Sequence, residues 1–185
     1  MRKLFHGHRC TKPAKESVLK IRSFQPADSE AVRHLFTQGH LNFAQDPELE
    51  EEVRRFIQYS LSDDLSDISR HYLGSSGNHF WVAEVEGQIK GTVGIQRRND
   101  EEAELRRMSV AADSRRQGIG GELLKIAEGF CRGEGYQCIH LSTAIHLKPA
   151  IALYQKASYQ LIGEEQYGRI IVQHFVKHLS DGRTG

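Results

Sequence analysis

Cysteine, proline and tryptophan are all scarce in this chain: three, four and one among 185 residues. An odd cysteine count (Cys10, Cys131 and Cys138) argues against a disulfide framework. Their spacing matches no zinc-ligand pattern, so reduced thiols in the cytoplasm and no bound metal are expected. An excess of charge is missing too. Twenty-five Lys and Arg against 24 Asp and Glu leave a net +1. No global field then draws the chain to nucleic acid or to a membrane surface, and any anion site must be local. There is no apolar run of about 18 residues to span a bilayer, and the N-terminus is charged without the apolar core of a secretory signal. No internal repeat is found. What is present is ordinary for a soluble domain, 38% hydrophobic and 26% charged, with length enough for one sizeable core.

Residues 1–17 carry Arg2, Lys3, Arg9, Lys12 and Lys15 with little apolar content, which predicts a flexible basic tail. His6, His8 and Cys10 offer metal ligands there, but a solvated tail is the preferred reading. Val18–Phe24 predicts a strand, and Gln25–Asp28 a turn into a helix whose apolar face is Val32, Leu35, Phe36 and Leu41. Asp46 and Pro47 read as the cap and first residue of a second helix striped by Leu49, Val53, Phe56, Ile57 and Leu61. Leu65, Ile68 and Tyr72 continue the spacing after a break near Ser62–Asp64. Three antiparallel strands follow, His79–Val85, Ile89–Gln96 and Ala103–Val110. A helix then runs to about Arg132 and stops at Gly133–Gly135. Cys138–Thr143 is a strand that the helical crossover sets parallel to Ala103–Val110. A short helix, Pro149–Lys156, and a hairpin of Tyr159–Gly163 with Ile170–Val176 complete a single domain over 18–178, and 179–185 is expected to fray.

The densest signal is Glu104–Glu122. A strand ends at Val110, a polar turn follows, and a glycine-rich loop opens a helix. The first N–H groups of a helix lack intrahelical partners, and the macrodipole adds roughly half a positive charge there, so such a junction suits phosphate. Gly118, Gly120 and Gly121 keep side chains out of the way, and Arg115 and Arg116 add forked donors. The competing reading is a helix start with glycines for close packing. The nucleotide-loop ending Gly-Lys-Ser/Thr is absent, because Gly121-Glu122 follows Gly120. The dinucleotide fingerprint fails because Leu123 stands where its last glycine belongs.

What remains, Arg115-x-x-Gly118-x-Gly120 after a strand, resembles the acetyl-CoA loop of the GNAT superfamily of N-acetyltransferases. Ala150-Ile-Ala-Leu153-Tyr154, about 35 residues on, resembles that family's second motif. Ser158-Tyr159 stands for its usual Gly-Phe, and Leu147 for a frequent asparagine. The element order agrees over nearly the whole chain. The implied fold is α/β (α+β): a mixed, mostly antiparallel twisted sheet of about seven strands with four to five helices. Glu104-Leu-Arg-Arg-Met-Ser-Val with Arg-Arg-Gln-Gly-Ile-Gly is most similar to camello-like members. Those usually carry a membrane-embedding segment before the second strand. Here Phe56–Gly77 contains Asp63, Asp64, Asp67 and Arg70, so neither membrane residence nor that subgroup's substrates is carried over.

The resemblance implies acetyl-CoA as co-substrate and a primary amine as acceptor. It places Met108, Ser109, Val110, Arg115, Arg116, Gln117, Gly118, Ile119, Gly120, Gly121 and Tyr154 around the cofactor. It implies that the strand before the loop splays from its neighbour, freeing the backbone of Met108 and Val110 for the pantetheine arm and the Met108 N–H for the oxyanion. Glu104, directly or through water, is the candidate base, weighed against a surface glutamate paired with Arg106 or Arg97. His146 is a second candidate, weighed against a solvent-facing loop histidine. Tyr154 is the candidate acid toward the thiolate, weighed against plain core packing. Acceptor choice is expected from the two early helices and the loop near Glu164–Gly168. Glu50, Glu51, Glu52, Asp63, Asp64 and Asp67 hint at a cationic acceptor but read better as a solvated face. A homodimer through strand edges is an expectation, and nucleic acid is not. The alternative to an enzyme is an acyl-CoA-binding sensor or structural module without turnover.

Overall fold

Alternating apolar residues and helical stripes fold as the pattern predicts. The computed structural model describes residues 18–44 and 47–179. The basic tail, the Asp46 cap and the C-terminal end, all read from the sequence above, lie outside the described residues. The chain runs β1 (Leu19–Ser23), α1 (Ser29–Leu41), α2 (Pro47–Ser62), β2 (His79–Val85), β3 (Gln88–Arg97) and β4 (Glu102–Val110). It continues through α3 (Ile119–Glu134), β5 (Cys138–Ala144), α4 (Lys148–Lys156), β6 (Gln160–Tyr167) and β7 (Ile170–His178). A π-helical turn at Ser69–Leu73 precedes β2.

The strands form one sheet in the order β1-β2-β3-β4-β5-β7-β6. Every neighbouring pair is antiparallel except β4 with β5, which the α3 crossover makes parallel. The two-residue period of a strand serves two separate cores. On β2, Trp81 and Ala83 pack with Leu123, Leu124 and Ala127 of α3, while Phe80 and Val82 pack with Val32 and Phe36 of α1 and Val53 and Ile57 of α2. Leu65, Ile68 and Tyr72 join the second core, as their spacing predicts. Gly135, with φ 87°, closes α3.

Two expectations change. The last hairpin is longer than predicted: Glu164–Tyr167 stay paired with Ile170–Gln173, so the turn shrinks to Gly168-Arg169. Glu52 of α2 accepts hydrogen bonds from the Arg169 backbone N–H at 3.1 and 2.9 Å, tying the early helices to that turn. Asp64 is not part of a solvated face. It is 1% exposed and bound by Tyr72 and Arg107. An acidic residue after a helix break reads as solvated only while its buried partner, far along the chain, is unknown.

Candidate active site

β4 and β5 pair only at Glu102–Cys138, Ala103–Ile139 and Glu104–His140, although each strand continues beyond. Past Glu104 the two strands therefore part. β3 stays on the other edge of β4, and the Ala111 N–H donates to the Lys90 carbonyl at 2.9 Å. Because backbone groups alternate in direction along a strand, Val110 and Met108 face the opposite edge, into the gap. The Val110 carbonyl accepts a 3.3 Å bond from Arg115 Nε. Met108 and Val110 side chains pack in the α3-side core, and Ser109 is 8% exposed on the α1 face, beside Gly39.

A bulge makes this edge. Thr92 pairs with Ser109 and Gly94 with Arg106, so Val93 faces two residues, Arg107 and Met108. Arg107 takes φ 55°, a left-handed conformation that costs a non-glycine residue about 1–2 kcal/mol. It is held there on all sides. Its carbonyl accepts from Thr92 Oγ1 at 2.8 Å. Its guanidinium donates to both Asp64 oxygens and to Ser60 Oγ at 2.9 Å, and lies over the Phe36 ring at 5.0 Å. Sequence reasoning missed this anchor. The signal was the consecutive pair Arg106-Arg107, which breaks the alternation of β4.

At the end of β4 the chain turns through Ala112–Ser114 into α3. Arg116 (φ 62°) and Gly118 (φ 86°) both need the left-handed region, where only glycine is at ease. Gly118 is the N-cap and gives no side-chain cap. The first helical bond runs from the Glu122 N–H to the Gly118 carbonyl at 3.1 Å, so the N–H groups of Ile119, Gly120 and Gly121 precede the helical ladder. A Cβ on Gly120 would stand 3.0 Å from Leu153 Cδ2 and 3.7 Å from Val110 Cγ2, so this glycine lets α3 meet α4 and β4 closely. A Cβ on Gly121 meets nothing within 4 Å. Close packing thus explains Gly120, whereas open space surrounds Gly121. The Ile119 side chain is buried in the core and leaves only its backbone to the site. Arg115 lies over the Phe43 ring at 4.8 Å, Gln117 Nε2 donates to the Asp113 carbonyl at 3.2 Å, and Arg116 is exposed. A cleft of about 650 Å³ opens between α1, Lys90 and Val110–Arg115. None of its walls comes from β5 or α4, so it is distinct from the strand gap.

Tyr154 is 5% exposed, with its ring edge-on to Tyr159 at 5.8 Å and near Phe175 at 6.4 Å. Burial pushes its phenol above the ordinary value, so it is a hydrogen-bond donor far more readily than a proton source. Glu104 sits on the last rung before the strands part and is half-buried. The ion pairs weighed for it do not form: Arg97 turns to Asp100, and Arg106 Nη1 donates to Gln96 Oε1 at 2.6 Å. His146 is not a solvent-facing histidine. It is half-buried, its Nε2 is buried without a hydrogen-bond partner among the described residues, and burial holds its pKa below the usual value. It stands near His40 of α1, which lies against Phe36 at 4.3 Å and Phe56 at 5.4 Å. Burial, helped by the charges of Arg107 and His146 and opposed by the Phe36 carbonyl, brings the His40 pKa to about 4. Among the described residues, no helix is long and apolar enough to cross a membrane.

Residues 40–159 match the model of the acetyltransferase (GNAT) family. Human N-acetyltransferase 8B is 32% identical over 142 residues, taking in 71% of this chain and 63% of that protein. The probable N-acetyltransferase camello of Xenopus tropicalis is 37% identical over 102 residues, 54% of this chain and 47% of that one. The chain thus spans about half to two thirds of the length of the curated relatives it matches. Among solved structures, PaiA N-acetyltransferase from Thermoplasma acidophilum in complex with coenzyme A aligns with a TM-score of 0.68. Its sequence is 19% identical, and the alignment covers 85% of this chain and 98% of that one.

Proposed function

The chain belongs to the acetyltransferase (GNAT) family, and from that premise we propose that it moves an acetyl group from acetyl-CoA to a primary amine by direct attack in a ternary complex. The observation that carries this reading is the parting of β4 from β5 after Glu104, with the uncapped start of α3 at its far end and α4 alongside. The names of the relatives and the coenzyme A bound to the structural neighbour agree with it.

In this reading the cofactor diphosphate sits on the N–H groups at Gln117–Gly121, with Arg116 turned outward to meet it. The pantetheine amides pair with the free edge of β4 at Met108 and Val110. Arg115, engaged with the Val110 carbonyl and Phe43, sets the loop's position. The Met108 N–H meets the oxyanion, a contribution of about 3 kcal/mol in such sites. An alkylammonium of pKa near 10.4 costs about 4.6 kcal/mol to deprotonate at pH 7, which a base in place partly offsets. Glu104 is that base, directly or through a water, at the apex of the gap. His146, with its unpartnered Nε2, is the alternative. Tyr154 donates a hydrogen bond to the departing thiolate.

The test is calorimetric binding of CoA combined with free-thiol release from acetyl-CoA across a panel of amines: polyamine, aminoglycoside, peptide N-terminus and lysine. Binding with turnover on at least one amine is expected. Binding with no thiol release on any of them identifies a sensor module instead, and absence of binding overturns the cofactor site itself.

A further inference from the structure

We propose that Glu102, Cys138 and His140 form a site for one zinc-like divalent cation, at the rungs where β4 and β5 are still paired. The proposal is independent of the transfer chemistry. Register brings the three together. Cys138 is the direct partner of Glu102 across the parallel pair, and His140, two residues on, shares the face of Cys138. One ligand atom from each lies within 4.8 Å of the others.

Two of the three separations are those of a tetrahedral centre. Zinc bonds of about 2.3 Å to sulfur and about 2.05 Å to nitrogen or oxygen, at tetrahedral angles, put S and N about 3.6 Å apart and N and O about 3.4 Å apart. Cys138 Sγ and His140 Nε2 stand 3.4 Å apart, and His140 Nε2 and Glu102 Oε2 3.5 Å. A hydrogen bond at one ring nitrogen serves one partner, yet here the sulfur and the carboxylate both converge on it. A cation satisfies all three.

Thiolate, imidazole and carboxylate together suit a borderline metal such as zinc better than a hard one such as magnesium. Asn99 Nδ2 donates to Glu102 Oε2 at 3.3 Å and orients the carboxylate. The Glu102 and His140 side chains are 37% and 20% exposed, so water has access to a fourth position. Glu101 and Glu104 add negative potential nearby, opposed by Arg98. Binding releases the Cys138 thiol proton to the buffer as the sulfur–metal bond forms, one proton per cation.

The decisive experiment uses the full reduced chain, freed of metal, titrated with Co²⁺ in the spectrophotometer and with Zn²⁺ in the calorimeter. One equivalent of Co²⁺ should give a near-ultraviolet thiolate-to-cobalt charge-transfer band, and Zn²⁺ should bind once with one proton released and raise Tm. Cys138→Ser should abolish the band. Glu102→Gln and His140→Gln should each weaken Zn²⁺ by more than the roughly 10- to 100-fold typical of losing an outer partner. Cys131→Ser and Cys10→Ser should leave both signals intact. The two ligand variants that retain Cys138 keep the test decisive if Cys138→Ser misfolds. No band in the wild type, a band that survives Cys138→Ser, unchanged affinity in both Glu102→Gln and His140→Gln, or loss of the band in Cys10→Ser overturns the proposal.

Discussion

Replacing Asp64 with asparagine should destabilise the fold by about 3–5 kcal/mol, the usual result of stripping one partner from a buried ion pair. The Asp64 and Arg107 side chains are 1% and 6% exposed. Asparagine keeps the shape but removes the charge that two guanidinium bonds require. Arg107 would then remain buried with Ser60 Oγ at 2.9 Å and the Phe36 and Phe56 rings at 5.0 and 6.0 Å. Ring contacts of this kind are worth about 0.5–2 kcal/mol each, too little to replace a carboxylate. The backbone at φ 55° adds about 1–2 kcal/mol of incentive to relax, so the bulge should loosen and CoA affinity should fall with stability. Burial alone would raise the Asp64 carboxyl, but the hydrogen bonds and charge of Arg107, with Tyr72, hold it below the ordinary range. A folded pKa below the unfolded one means that its stabilisation is complete above about pH 4 and fades as pH falls through the lower folded value. Urea titrations of wild type, Asp64→Asn, Asp64→Leu, Arg107→Met and Asp64→Leu/Arg107→Met provide the measurement. The apolar double variant should recover part of the single-variant loss. A loss under about 1 kcal/mol in Asp64→Asn, or a double variant as unstable as the singles summed, would refute the anchor.

Tyr154→Phe should lower kcat by about a hundredfold while leaving CoA binding nearly unchanged, read by thiol release beside calorimetry. Gly118→Ala forces a Cβ onto φ 86° at a cost of about 1–2 kcal/mol, and CoA affinity should drop by about tenfold as the loop distorts. His40 has a folded pKa of about 4 against an unfolded value near 6.5, so it is neutral in the fold. The unfolded chain takes up its proton first, and stability should decline as pH falls from about 6.5 to 4. The ceiling is about 3 kcal/mol, reduced where solvent reaches the ring. Melting curves of His40→Asn should be flatter across that window. Glu104→Gln should cut kcat/KM without altering the CoA Kd; if only His146→Asn does so, the base is His146.

The order of elements along the chain, the parallel step at β5 and the loop into α3 were legible because each rests on local information: a two-residue or helical period, a glycine stop, a turn; the place of β7 between β5 and β6 was not. The glycine loop itself was legible, but the left-handed backbone at Gly118 was not, and the need for Gly120 depends on Leu153, in a different helix. Three features were opaque for the same reason. Asp64 looks solvated until Arg107 arrives from β4. His146 looks like a loop residue until the chain around it buries Nε2. Cys138 and His140 match no ligand spacing because their third partner, Glu102, joins only through strand register. Pairwise facts between distant residues leave no periodic trace in one sequence.

The supernumerary residue in β4 has a consequence for handedness of presentation. A regular strand would send residues an odd number apart to opposite faces. Yet Ala103 and Leu105 share a core layer with Met108 and Val110, because the extra position near Arg107 reverses the count midway. Deleting that single residue would leave the first half of the strand in place and turn the second half over, driving Met108 and Val110 toward α1 and bringing Ser109 beneath α3. Which side of the sheet each end of this strand serves is thus decided by one inserted amino acid.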